Sequence, residues 1–385
     1  MAGNPLKSRG AGRTSRRRFL LGATATGAAA VSFPMAARAQ APIALRFQGA
    51  WSAKNIFHEF ALDYAKKVND MSGGRLRIEV LPAGAVVKPF DLIDAVHKGV
   101  LDGCHAVAAY WAGKNTAFSL FGTGPALGMD ANQFLAWMEY GGGKAFYEEL
   151  LNRVLNVEVT GFLYGPMPTQ PLGWFKKAIT TPAQLKGLKY RTVGLSVDLF
   201  RELGAVVNAL PEDAIVAAMK SGAIDAAEFN NVSSDWIVGM PDVAKICMLQ
   251  SYHQPAETFE ILVNRKKHDA LPTDLRLILK HAAEAASADM SWKAMHRYSE
   301  DHISMREKQG VKFQRTSAEM LRAQMKAWGA VVERQSRDNP FFEKVFRSQQ
   351  AWARRTVAWT RETVVDPRIA YDYWFARPKT PAKSK

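Results

Sequence analysis

Ala44-Leu45-Arg46-Phe47-Gln48 and Arg75-Leu76-Arg77-Ile78-Glu79-Val80-Leu81 both alternate apolar with polar residues, and a stretch of different period lies between them. Alternation at period two is the pattern of a strand with one face buried. From about Asn55 to Met71 the apolar residues Phe57, Phe60, Ala61, Tyr64 and Val68 recur at helical spacing, and Ser72-Gly73-Gly74 ends the helix. Pro89 to Lys98 predicts a short second helix, leading through Gly99 to a third strand around Cys104–Val107. A β-α-β-α-β run of this kind builds an open, largely parallel sheet. Ligands of such sheets sit in the loops at the carboxyl ends of the strands.

Further along, Val157–Tyr164 and Leu188–Thr192 read as strands of a second lobe, with a helix over Ser196–Leu203 after Gly194. Pro211–Ser221 predicts another helix and Ala223–Phe229 another strand. Pro272 to Arg334 and Pro340 to Val364 are helical, too long and too polar to be all core. The expected fold class is α/β, two lobes with mixed, mostly parallel sheets and a long C-terminal helical segment. Residues 40–160 supply mainly the first lobe, residues 161–265 mainly the second with a strand crossover, and residues 266–385 the helices that brace them. No low-complexity linker separates the lobes, so the chain is expected to pass between them more than once.

The first forty residues follow other rules. Ser15-Arg16-Arg17-Arg18-Phe19-Leu20-Leu21 opens an Ala/Gly-rich run from Gly22 to Ala37, and Ala37-Arg38-Ala39 offers a small-x-small cleavage site. This is the form of a twin-arginine export signal over residues 1–39. The apolar run is about 16 residues long and holds Pro34, short of the about 20 needed to span a bilayer. Cleavage near Ala39 and a periplasmic mature protein are therefore expected. The signal holds seven bases and no acid, which leaves 44 Lys+Arg against 36 Asp+Glu, a formal charge of +8. That excess suits small anionic ligands and gives nucleic acid little support as a partner. With 48% hydrophobic residues and no second run of membrane-spanning length, a soluble product with a large core is expected. Cys104 and Cys247 both lie in apolar, strand-like surroundings, where buried free thiols are the commoner outcome.

Enzyme chemistry finds little support. No serine sits in G-x-S-x-G, and Gly141-Gly142-Gly143 is followed by Lys144-Ala145, which does not close a phosphate-binding loop. The eight histidines show no compact metal spacing, and His253 alone is retained as a pocket candidate. A carboxylate pocket reads better. Gly187-Leu188-Lys189-Tyr190-Arg191 places an arginine at the end of a predicted strand, where its planar fork can hold a carboxylate through two parallel bonds. Ala223-Ile224-Asp225-Ala226-Ala227-Glu228-Phe229 ends another strand on a carboxylate and an aromatic ring, suited either to a hard cation or to a solvated acid beside a core phenylalanine.

These last segments, with Tyr110-Trp111-Ala112-Gly113-Lys114, Trp137-Met138-Glu139-Tyr140-Gly141-Gly142-Gly143 and Gln170-Pro171-Leu172-Gly173-Trp174-Phe175, carry a resemblance over the whole mature chain. The sequence resembles the DctP-type substrate-binding proteins of tripartite ATP-independent periplasmic (TRAP) transporters, in particular the subgroup that binds 2-oxo acids. The resemblance implies a two-lobed periplasmic binding protein fold, no enzymatic activity, and delivery of a small organic acid to the transporter's membrane subunits. It implies that Arg191 pairs with the ligand carboxylate. It also implies that Gln170, Glu228 and the backbone carbonyl of Phe229 hold a sodium or calcium ion, which the ligand completes. Tyr110, Trp111, Asn231 and His253 join Arg191 and Gln170 as candidate substrate contacts, and Glu257 joins the candidate metal set. No organic cofactor is implied. In the family the C-terminal helix can swap between protomers, and Asn339–Val364, with Phe341, Phe342, Val345, Phe346 and Trp352 on one face, has the length to build a homodimer. Phe229 stands where many relatives carry tryptophan, and Asn230-Asn231-Val232 replaces a Gly/Pro-rich stretch. An aromatic carboxylate or a polyol is thus the alternative ligand, and a periplasmic sensor the alternative role.

Overall fold

The computed structural model describes residues 41–375, so the expected export signal over 1–39 lies outside the described residues. Asn55 starts the first helix, its side chain accepting from the Phe57 amide at 3.0 Å. Over Ile56–Met71 the residues spaced for burial, Phe57, Phe60, Ala61, Tyr64 and Val68, are buried.

The strands are β1 (Ile43–Gly49), β2 (Leu76–Leu81), β3 (Gly103–Ala106), β4 (Val159–Met167), β5 (Gly173–Phe175), β6 (Lys189–Arg191), β7 (Val206–Asn208), β8 (Ala226–Ala227), β9 (Ile246–Leu249), β10 (Glu257–Asn264) and β11 (Lys312–Arg315). They form two sheets, ordered β2-β1-β3-β10-β4 and β11-β9-β5-β8-β6-β7. β1 runs parallel to β2 and β3, as the opening β-α-β-α-β pattern requires, while β10 runs antiparallel to β3 and β4. In the second sheet β6 is parallel to β7 and β8, and β5 is antiparallel to β8 and β9.

Two expectations change. Val157–Tyr164 does not enter the second lobe, because β4 pairs with β10 in the first sheet, from Thr160 opposite Val263 to Met167 opposite Glu257. Every residue of β10 is buried, and a strand so enclosed must satisfy both edges, which it does with β3 on one side and β4 on the other. The strand expected over Ala223–Phe229 is in register only at Ala226 and Ala227, beside Tyr190 and Arg191. At Glu228 the chain leaves the sheet, and that departure builds the site described below.

The chain crosses between lobes from β4 to β5 and again from β9 to β10. A third passage is the helix Thr273–Lys308, about 54 Å long at 1.5 Å per residue. Its first half lies on the first lobe, where Leu279 and Ala283 are buried, Tyr64 donates to the Leu279 carbonyl (3.2 Å) and Gly165 N–H donates to Ser287 Oγ (2.9 Å). Its far end delivers β11 to the second sheet. The helix Ala318–Asp338 stays on the second lobe, with Gln335 donating to Asp198 (2.8 Å). Pro340–Thr363 then returns to the first lobe, burying Phe342 and Val345 and anchoring through Gln349 to the Leu120 carbonyl (2.6 Å) and Trp352 to the Gln133 carbonyl (3.2 Å). The apolar face considered for a protomer exchange is thus packed within its own chain. The following helix, Pro367–Phe375, instead leaves Ile369, Tyr371, Tyr373, Trp374 and Phe375 exposed. Cys104 and Cys247 are separate buried thiols. No helix among the described residues is long and apolar enough to cross a membrane.

Candidate functional site

Four segments converge where the lobes meet: the chain after β4 with Gln170, the end of β6 with Arg191, the exit from β8 with Glu228, and the start of β10 with Glu257. Gly173 makes the convergence tight. Its φ is +139°, and a Cβ there would lie 2.7 Å from the Ala227 carbonyl oxygen, so only glycine lets β5 sit this close to β8.

Arg191 is 1% exposed. Its Nε donates to the Leu210 carbonyl (2.9 Å), and its Nη1 to the Glu228 carbonyl (2.9 Å) and carboxylate (3.0 Å). Among the described residues Nη2 has no partner, which leaves one prong of the fork for an incoming acid. The Phe229 ring covers the guanidinium at 5.6 Å and meets Phe57 of the first lobe at 5.9 Å.

Glu228 is fully buried, and burial pushes its carboxyl up to about 7 even though Arg191 pulls the other way. Its Oε2 has no hydrogen-bond partner, nor has Gln170 Oε1. Gln170 Nε2 and Asn230 Nδ2 both donate to one oxygen of Glu257, whose carboxyl burial raises to about 8. Two buried acceptor oxygens without donors, on an acid and an amide, fit a hard cation that takes oxygen ligands. The doubly engaged Glu257 oxygen instead fixes the Gln170 amide by its nitrogen, leaving its carbonyl oxygen unpartnered. No group of three His, Cys, Asp or Glu side chains among the described residues is arranged to hold a metal, so amide, backbone and ligand oxygens would have to complete the shell.

The other candidates separate. Tyr110 stands at the cleft, its ring packed on Phe90 (4.8 Å), with burial raising its hydroxyl and the Arg191 charge lowering it. His253 is buried against Phe200, its Nδ1 at 2.6 Å from Ser251 Oγ. Burial and the charge of Arg191 hold it down to about 3, so it is a neutral imidazole. Trp111 turns away from the cleft: its indole is fully buried in the first lobe and donates to Glu260, which also accepts from Tyr147. Asn231 is consumed as a helix cap, accepting from Ser233 and Ser234 N–H at 3.0 Å each and donating to Asn230. The neighbouring Asn230 is the one that reaches Glu257. Asn231 followed by Val-Ser-Ser-Asp is a helix-start signature that marks this division of labour. Asp235, on that helix, accepts from Trp174 (2.7 Å) and from Asn230 N–H (3.0 Å), tying the β8 exit to β5.

A second group not foreseen from the sequence joins the lobes. Glu212, at the start of a second-lobe helix, accepts from Ser52 N–H (3.0 Å), Ser52 Oγ (2.9 Å) and Asn55 Nδ2 (3.0 Å), all of the first lobe. It closes one side of the cleft.

Residues 47–338 match the family described as bacterial extracellular solute-binding protein, family 7, or DctP. A monocarboxylate 2-oxoacid-binding periplasmic protein of Nostoc sp. is 31% identical over 300 residues, covering 77% of this chain and 80% of that protein. A TRAP transporter solute-binding protein from Bordetella bronchiseptica, solved as a mixed-occupancy dimer with calcium and picolinate, superimposes with TM-score 0.81 at 26% identity, over 87% of this chain and 98% of that one. One from Pseudoalteromonas atlantica, with sodium and pyruvate, gives 0.79 at 28% identity over 87% and 99%.

Proposed function

The chain belongs to the DctP family of bacterial extracellular solute-binding proteins, and from that premise we propose that its cleft captures a 2-oxo or 2-hydroxy monocarboxylate together with a sodium or calcium ion. It is a TRAP-type solute-binding protein. The observation that carries the ligand assignment is the pairing of a buried arginine having one free prong with two donorless acceptor oxygens, Gln170 Oε1 and Glu228 Oε2. Arg191 meets the carboxylate, and the cation sits between Gln170, Glu228 and the Phe229 carbonyl. The ligand's carboxylate and 2-oxo oxygens complete the ion's shell. The cation lets an anion lie beside Glu228 without repulsion. The relatives from Nostoc sp. and Pseudoalteromonas atlantica support this class.

The acid is delivered to the TRAP membrane subunits unchanged. The lobes close on it by hinge bending, with Glu212 as one clasp. Export by the twin-arginine route with cleavage near Ala39 belongs to the same reading. So does a homodimer: the aromatic face of Pro367–Phe375 is uncovered in the single chain, and light scattering at micromolar concentration tests it. Picolinate in the Bordetella bronchiseptica relative favours a second reading, an aromatic acid with a ring nitrogen beside its carboxylate, since that nitrogen can chelate as a 2-oxo oxygen does.

Thermal unfolding of the mature protein against pyruvate, lactate, picolinate, succinate and glycerol, each with and without sodium or calcium, tests the proposal. A ligand at 100 times its Kd adds about 2.7 kcal/mol. A cation-dependent rise with pyruvate and lactate is expected. A rise with glycerol alone, or none with any acid, would overturn it.

A further inference from the structure

Beside this site lies a second set of buried polar groups that the carboxylate and cation do not engage. Gln254 is fully buried with neither amide atom partnered, and the hydroxyls of Ser119 and Thr123, also fully buried, have no partners either. The three segments that carry them are laced together. The Gln254 carbonyl accepts from Gln170 N–H (3.1 Å), so Gln254 adjoins the residue that faces the cation. The His253 carbonyl accepts from Ser196 Oγ (2.8 Å). Two residues before Ser196, Gly194 takes φ +63° against the first lobe, where an added Cβ would lie 2.7 Å from Thr123 Oγ1, 3.4 Å from Ser119 Oγ and 3.1 Å from Ala109, the neighbour of Tyr110. Thr258 Oγ1 donates to the Phe121 carbonyl (3.1 Å), holding the start of β10 along the same first-lobe loop.

An amide buried without a partner destabilises the fold, and native proteins rarely leave one so. We propose that Gln254, with the Ser119 and Thr123 hydroxyls, forms a second polar subsite that receives a hydroxyl on the ligand carbon next to the 2-oxo group. The substrate class is then the 3-hydroxylated 2-oxo acids in preference to their alkyl counterparts. An amide and two hydroxyls each donate and accept, as a ligand hydroxyl does, whereas a methyl group of the same size would leave all of them unsatisfied. The inference rests on the acid-binding reading of Arg191 and deepens it.

Calorimetric titration with pyruvate, 3-hydroxypyruvate and 2-oxobutanoate, in the presence of sodium or calcium, tests it on the wild type and on Gln254→Leu. The wild type is expected to favour 3-hydroxypyruvate over the isosteric 2-oxobutanoate by about tenfold or more. Gln254→Leu should erase that preference, keep pyruvate within about threefold, and leave the ligand-free melting temperature unchanged or higher, because an unpartnered amide has been removed. Equal wild-type affinity for 3-hydroxypyruvate and 2-oxobutanoate would overturn the subsite. So would a variant that melts several degrees lower and loses all three acids alike, which would give Gln254 a purely structural role. If Gln254→Leu fails to fold, Thr123→Val carries the same comparison. Wild-type protein that binds none of the three acids would refute the acid-binding reading itself and the subsite with it.

Discussion

Glu212→Ala removes the acceptor of all three hydrogen bonds that Ser52 and Asn55 send across the cleft. In an open state water takes these places, so each bond favours closure by its net worth, about 0.5–1.5 kcal/mol. Three bonds together favour it by about 2–4 kcal/mol, within the usual limits of additivity. Where the free protein is mostly open, the whole loss falls on apparent affinity, a weakening of about 30- to 1,000-fold. Glu212→Gln keeps one acceptor oxygen and should fall between wild type and alanine. Asn55 keeps its cap on the first helix through Oδ1, so global stability should change far less than affinity. Calorimetry gives Kd, and stopped-flow fluorescence gives the rates through Trp51, which lies next to Ser52 in the chain and packs at 5.0 Å on Phe57. The weakening should reside in dissociation, because the clasp forms after encounter. An alanine variant whose Kd stays within threefold of wild type, or whose change lies wholly in association, would refute the idea that Glu212 clasps the closed state.

Arg191→Ala should abolish acid binding, because a buried carboxylate that loses its partner forfeits about 3–5 kcal/mol, and Arg191→Lys should recover little, since one ammonium cannot serve Leu210, Glu228 and the ligand together; titration with pyruvate checks both. For pH, the folded carboxyls of Glu228 and Glu257 sit near 7 and 8, above their usual 4.5, so the folded state holds protons that the unfolded chain has released. Their contribution to stability is full below about 4.5 and is lost as pH rises through 7 to 8, so calcium should raise the melting temperature more at pH 8 than at pH 6, and the reverse order would count against these two acids as the cation's neighbours. Trp111→Phe should lower the melting temperature by freeing one oxygen of Glu260 while leaving pyruvate affinity within about threefold; a selective loss of affinity would return Trp111 to the pocket.

The position of Arg191 is readable from local rules: a turn glycine, a short strand, and an arginine at the strand's carboxyl end. Gln170, Glu228 and Phe229 are singled out together only through family likeness; in the structure Glu228 pairs with Arg191, and Gln170 is buried on Glu257 beside Asn230. What escaped were choices between neighbours and between distant partners. Asn230 and Asn231 look alike in a string, but only one can cap the helix at Val232. Trp111 adjoins Tyr110, yet consecutive residues leave a short helical turn in different directions. The clasp pairs Ser52 with Glu212 across 160 positions, and no periodicity encodes such a pair. The same holds for β4, whose composition declares a strand without saying which sheet will take it.

The strand order of the first sheet has a consequence for how the protein comes into being. Among the described residues β4 has β10 as its only neighbour, so between the emergence of residue 167 and that of residue 264 it has no strand of the sheet to pair with. Five of the six strands of the second sheet are complete by residue 249, inside that interval. During synthesis, then, the sheet that begins the chain cannot close until most of the other has emerged. Its edge must wait, unpaired, while the lobe inserted into it assembles, and the helix that returns to this lobe ends only at Thr363.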